Sequence, residues 1–123
     1  MYLLVWWKKS SKFFYAAIHP NLGHAAYSSS KAAINSLTRD AAFELGKYGI
    51  RVNAILPGMT DTDMSRSLHL TKDTEEIWKN KNCLNRLGQP IDQAKVALFL
   101  ASDLSDHITG ESISVSAGEV MRQ

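Results

Sequence analysis

The stretch from His24 to Gly58, HAAYSSSKAAINSLTRDAAFELGKYGIRVNAILPG, decides the fold. From about Ala25, the residues Ile34, Leu37, Ala41, Leu45 and Tyr48 recur at helical steps and predict one amphipathic helix. Ala26, Ala32, Ala33 and Ala42 add small residues that let a sheet or a second helix approach closely. Gly49 stands where a helix ends in the left-handed conformation. The next run, IRVNAIL, reads as a strand, with Ile50, Val52, Ala54 and Leu56 on one face and Ile55 on the other; Pro57-Gly58 stops it. The helix carries Tyr27 and Lys31 at i and i+4, so both project from one face a turn apart. Taken alone, that pair is also what a half-buried tyrosine beside a snorkelling lysine would give.

Working outward, YLLVWW at the start is a short apolar run, consistent with a strand buried on both faces. HPNLGH is a loop. Downstream, the polar segment from Met59 to Gln89 is too long for a plain connection and reads as a lid or binding loop, with a short helix around Thr74 to Lys81. Pro90 suits a first helical turn. IDQAKVALFLAS places Ile91, Ala94, Leu98 and Ala101 on one face, with Val96, Phe99 and Leu100 nearly closing the circle, and predicts a well-buried helix. HITG turns the chain into a last strand, ESISVSAG, with Ile113 and Val115 on one face. Alternation of strand, helix, strand, lid, helix and strand predicts a parallel α/β sheet of about three strands. A buried-type strand would then have an unpaired edge, so the chain reads as one half of something larger.

Composition agrees with a packed fold: 123 residues, 45% apolar and 21% charged, is ordinary globular material. A net charge of +2 asks for neither nucleic acid nor a membrane surface. The basic groups are uneven, since residues 1–39 hold Lys8, Lys9, Lys12, Lys31 and Arg39 and no acid. Cys83 is the single cysteine, and His19, His24, His69 and His107 are scattered without ligand spacing, so neither a disulfide nor a Cys/His metal cluster is expected. Such cysteine usage suits the cytoplasm. An acid-free start could mimic a mitochondrial presequence, but no Arg precedes Arg39. The first apolar run has seven residues, against the ~20 of a spanning helix, and its lysines follow it rather than precede it.

YSSSK (Tyr27 to Lys31), IRVNAILPG (Ile50 to Gly58), TDTDM, LGQPIDQAKVALFLASDLSDHITGE and the closing VSAG, in this order and spacing, resemble the second half of a classical short-chain dehydrogenase/reductase. The resemblance covers about Asn21 to Met121. It implies a partial Rossmann-type doubly wound sheet, the second half of that fold. It also implies an oxidoreductase that interconverts a hydroxyl and a carbonyl group with NAD or NADP. In such a protein Tyr27 exchanges a proton with the substrate oxygen. An unperturbed tyrosine titrates near ~10, and the ammonium of Lys31 would favour its phenolate. Lys31 would also hold the cofactor ribose. Pro57, Gly58, the Thr60 backbone and the Thr62 side chain would lie against the nicotinamide, and residues 63–89 would form the substrate lid. Asn53 matches a structural position of the family, and Met59, Met64 and Trp78 read as lid packing. The Tyr27 helix would pack on a second subunit, as a homo-oligomer or with full-length relatives.

The chain departs from the family pattern in two ways. The glycine-rich turn of the opening βαβ unit is absent, and with it the residue that chooses between the two cofactors. The family serine beside the tyrosine falls near Phe13 or Phe14, so Ser11 can stand in only if the intervening loop bulges. Residues 1–14 form an atypical N-terminal segment of a single truncated domain, 1–123. The alternative expectation is therefore a non-catalytic relative, an isoform or fragment, that acts through subunit association.

Overall fold

The computed structural model describes residues 2–6, 25–68 and 71–119; for the strand 2–6 and for Tyr27 and Leu68 it describes the backbone alone. The element order is β1 (Tyr2–Trp6), α1 (Ala25–Leu45), β2 (Ile50–Pro57), α2 (Asp63–Leu68), α3 (Lys72–Lys79), α4 (Pro90–Ala101) and β3 (Ser112–Val115). The strands form one parallel sheet in the order β1-β2-β3, with Tyr2 opposite Ile50 and Ala54 opposite Ser112. This is the α/β architecture that the sequence predicts. A 3-10 turn at Gly46–Tyr48 closes α1, and Gly49 follows in the left-handed conformation at φ 73°, with its N–H donating to Gly46 O.

β2 is the core. Residues 51–57 are all buried, because α1 covers the strand from one side and α4 from the other while β1 and β3 pair with its edges. Val52, Ala54, Ile55 and Leu56 account for its apolar content, and full burial of a Val, Ile or Leu side chain contributes about 1.5–3 kcal/mol. Asn53 is structural: its amide donates to Ile108 O at 2.9 Å and its Oδ1 accepts the Glu111 N–H at 3.1 Å, fixing the turn before β3.

The long helices meet the sequence expectation unevenly. On α1 Thr38 and Ala42 are buried and Ile34, Ala41 and Leu45 are half-buried, while Leu37 and Tyr48 of the expected stripe are exposed, as is Phe43 by 90%. Thr38 tolerates burial because its hydroxyl donates to Ile34 O within the helix. On α4 the expected face is the wrong one: Ile91 and Leu98 are 57% and 71% exposed, and Gln93 and Leu100 are buried instead. The Gln93 amide donates to Val115 O at 3.1 Å, which satisfies one end of a polar side chain at a core position. Among the described residues, the segment expected to form a lid holds two helices rather than one: α3 is displaced by two residues from the expected Thr74–Lys81, and α2 precedes it.

The start of α4 carries a carboxylate clamp. Asp92 accepts from the two terminal nitrogens of the Arg86 guanidinium at 2.7 and 3.0 Å and from the Gln89 N–H at 2.8 Å. The guanidinium and that backbone N–H hold its carboxyl down to about 2. Because the folded value lies below the unfolded ~3.9, the clamp stabilises fully above that pH and is lost as pH falls towards 2. The denaturation midpoint of the parent chain should therefore fall more steeply between pH 5 and pH 2 than that of Asp92→Asn. Equal slopes would remove Asp92 from the acid transition.

Candidate functional site

Topology decides which residues can meet. In a parallel β1-α1-β2 unit the helix runs antiparallel to the strands, so its first turn lies at the edge where β2 ends. Tyr27 and Lys31 on α1 and Pro57 at the end of β2 are thereby brought to one side of the sheet. This is the carboxyl edge, where open parallel sheets bind ligands. Lys31 is half-buried, and burial pulls its ammonium below the ordinary lysine value. Ser11, Phe13 and Phe14 lie outside the described residues, as do His19, His24 and His69. His107 is exposed on the turn before β3.

After Pro57 the chain is held tightly. Gly58 donates to Val115 O at 3.1 Å, extending the β2–β3 ladder by one bond. Its need for glycine is spatial, since a Cβ there would lie 2.7 Å from Ser116 Cα. Thr60 then forms an isolated parallel bridge with Gly88. The two bonds of that bridge belong to its neighbours: Met59 O accepts the Gly88 N–H at 2.9 Å, and Asp61 N–H donates to Gly88 O at 2.8 Å. In a parallel bridge the central residue turns its own N–H and C=O to the opposite edge. The N–H and C=O of Thr60 thus point away from Gly88, without a hydrogen-bond partner among the described residues. Chemically, a donor and an acceptor side by side on an extended backbone are the complement of a primary amide.

Thr62 sits at the start of α2. Its N–H donates to Ser65 Oγ at 2.8 Å and its Oγ1 accepts the Ser65 N–H at 3.2 Å, a reciprocal cap with serine at the third position. Beside it, the Arg66 guanidinium bonds Asp61 at 2.6 Å and holds that carboxyl below the usual carboxylate range. Met59 is buried and Met64 is 40% exposed, while Trp78 stacks under the Lys81 ammonium at 4.2 Å.

Pro57, Gly58, Thr60 and Thr62 are consecutive parts of one extended segment on the edge that also receives the start of α1. Sequence reasoning missed Gly88, whose bridge fixes the Thr60 orientation, and Glu119, whose carboxylate accepts the Met59 N–H at 3.0 Å. Neither carries a local signal, because each acts on a residue far away in the chain. Among the described residues there is no group of three or more His, Cys, Asp or Glu side chains that could hold a metal ion, and no helix is long and apolar enough to cross a membrane.

The chain is similar to known proteins. A family model described as enoyl-(acyl carrier protein) reductase matches residues 13–119. The chain is 40% identical over 114 residues to 2,3-dihydro-2,3-dihydroxybenzoate dehydrogenase of Escherichia coli (strain K12), covering 86% of this chain and 46% of that protein. It is also 42% identical over 105 residues to the 7alpha-hydroxysteroid dehydrogenase of the same strain, covering 85% and 41%. Among solved structures, a short-chain type dehydrogenase/reductase from Mycobacterium ulcerans superposes with a TM-score of 0.81 at 32% identity, covering 95% of this chain and 41% of that one. A 4-hydroxyisoleucine dehydrogenase complexed with NADH gives 0.82 at 30% identity, covering 95% and 46%. The chain spans less than half the length of each of these relatives. The strands β2 and β3, the tyrosine–lysine helix and the segment after Pro57-Gly58 fall together within residues 13–119, and the chain belongs to the short-chain dehydrogenase/reductase family.

Proposed function

We propose that this chain forms the nicotinamide-facing part of an NAD- or NADP-dependent oxidoreductase acting on a small alcohol or carbonyl compound. The observation that carries the reading is the outward-facing N–H and C=O of Thr60, a fit for the carboxamide of a nicotinamide. When bound, the cofactor supplies or accepts hydride. The phenol of Tyr27 passes a proton to the substrate oxygen in reduction and takes it back in oxidation. Lys31 favours the phenolate by its charge and donates to the ribose hydroxyls. The Thr62 hydroxyl adds a contact to the carboxamide, and Pro57 and Gly58 set the wall of the site. Ser11 would assist the tyrosine by donating to the substrate oxygen. Residues 63–89 cover the substrate, and their polar lining decides its identity.

A second reading is favoured by the exposed apolar side chains Phe43 and Leu98 on the two long helices. In it the chain is non-catalytic and associates with another copy or with longer family members.

Titration of the purified, folded chain with NADH and NADPH, followed by tryptophan fluorescence, tests the first reading. Saturable binding is expected, with Lys31→Ala weakening it ~10–100-fold through loss of a charged hydrogen bond. Tyr27→Phe should bind normally yet lower turnover by roughly 10²–10⁴. A folded chain that binds neither cofactor sinks the first reading and leaves association, which sedimentation would then measure.

A further inference from the structure

The turn after β3 does something that the proposed chemistry does not require of it. Ala117 has φ 54° and Gly118 has φ 79°, two successive residues in the left-handed region. Alanine there costs roughly 1–2 kcal/mol, and such strain persists only where the surroundings impose it. The surroundings are visible. Ala117 O accepts the Cys83 N–H at 2.8 Å, and a Cβ on Gly118 would lie 2.7 Å from Cys83 Sγ, so the lid grips the turn from one side. On the other side Glu119 N–H donates to Ser116 O at 3.0 Å, and the side chain crosses over Gly58, where a Cβ would lie 2.9 Å from its Oε2. That same oxygen accepts the Met59 N–H.

We infer that Glu119 is a positioning residue: its carboxylate ties Met59 to the strained turn and so holds residues 58–60 in the course that presents Thr60. The inference deepens the proposed function and rests on it for the cofactor, though not for the tether itself. Met59 and Gly88 fix the inner edge of the segment, and Glu119 fixes its beginning. The tether also joins two parts that would otherwise move separately, because the turn that carries Glu119 is the one held by Cys83 of the lid. Burial pushes the Glu119 carboxyl up, opposed by the Met59 N–H and by the positive charge of Lys81.

Three substitutions separate a tether from a charge effect. Glu119→Gln keeps an acceptor oxygen at the same reach. Glu119→Asp keeps the charge and the turn but falls one methylene short. Glu119→Ala removes the acceptor. Two quantities are read on each folded variant: hydrogen exchange of the Met59 amide, and the dissociation constants for NADH and NADPH. The expected result is faster Met59 exchange by about tenfold or more in the Ala and Asp variants, with Gln within about threefold of the parent. Cofactor dissociation constants should follow the same order. Unchanged Met59 exchange in the Asp variant overturns the inference, as does a Gln variant as impaired as Ala. If the parent ignores both cofactors while Met59 exchange still responds, the proposed function fails and the tether stands.

Discussion

Gly58→Ala is expected to lower the unfolding free energy by about 3 kcal/mol and to abolish cofactor binding at concentrations that saturate the parent. The added methyl would meet Ser116 Cα and Cβ at 2.7 Å and Glu119 Oε2 at 2.9 Å. Two of those three atoms belong to a residue fixed in the β3 turn, so the clash cannot be relieved by rotating a side chain. Two effects oppose each other. Alanine restricts the unfolded chain and should stabilise by roughly 0.4–1 kcal/mol, but overpacking against backbone costs more. The relief available is to pull the end of β2 from β3, which breaks the Gly58 N–H to Val115 O bond and the Met59 bond to Glu119. Those bonds orient Thr60, so stability and binding should fail together. Gly46→Ala provides the control, since nothing lies within 4 Å of a Cβ there. Chemical denaturation of both variants decides the matter. A Gly58→Ala chain as stable as Gly46→Ala would mean that the turn after β3 yields freely, and the account of a rigid edge would fall.

What could be seen in the sequence follows from how each signal arises. β2 was legible because a central parallel strand is buried on both faces, and five of the seven residues of IRVNAIL are accordingly apolar, with Pro57-Gly58 to end the run. Gly49 was legible because its left-handed φ leaves few alternatives. The face of α4 was not, because apolar residues nearly circle that helix and the pattern has no preferred direction. The phase was decided by Gln93, which no hydrophobic count would place in a core. α2 escaped notice because its cap pairs Thr62 with Ser65, where the usual reciprocal partner is glutamate or glutamine. At the site, the tyrosine–lysine pair and the Pro57-Gly58 end could be read as a constellation. The orientation of Thr60 could not, since it depends on a bridge to Gly88, 28 positions along the chain. Glu119 was hidden for the same reason: its partner lies 60 positions away.

Arg51→Met is expected to destabilise the chain by about 2 kcal/mol, a smaller loss than counting bonds would suggest. Arg51 is 6% exposed, and among the described residues it has no carboxylate partner. Its guanidinium instead donates to Leu100 O at 2.8 Å and Ile108 O at 3.1 Å. The first carbonyl belongs to the last turn of α4, where the helix dipole favours a positive charge. Two hydrogen bonds to a charged donor are worth roughly 1.5–3 kcal/mol each. Against that stands the cost of keeping a guanidinium out of water, with its Nε buried and unbonded. Methionine fills much of the space and carries no charge, and neither carbonyl is orphaned by the change. Ser105 Oγ still donates to Leu100 O at 3.0 Å, and Asn53 still donates to Ile108 O. What disappears is the fork that joins β2, the end of α4 and the turn before β3. Arg51→Lys isolates that geometry, because an ammonium keeps the charge but lacks the planar pair of donors that reaches both carbonyls. The lysine variant should therefore lie nearer to methionine than to the parent in urea midpoint. If lysine restores full stability, charge at the helix end is what matters and the fork is incidental. If methionine equals the parent, desolvation cancels both, and Arg51 holds the turn without stabilising the fold.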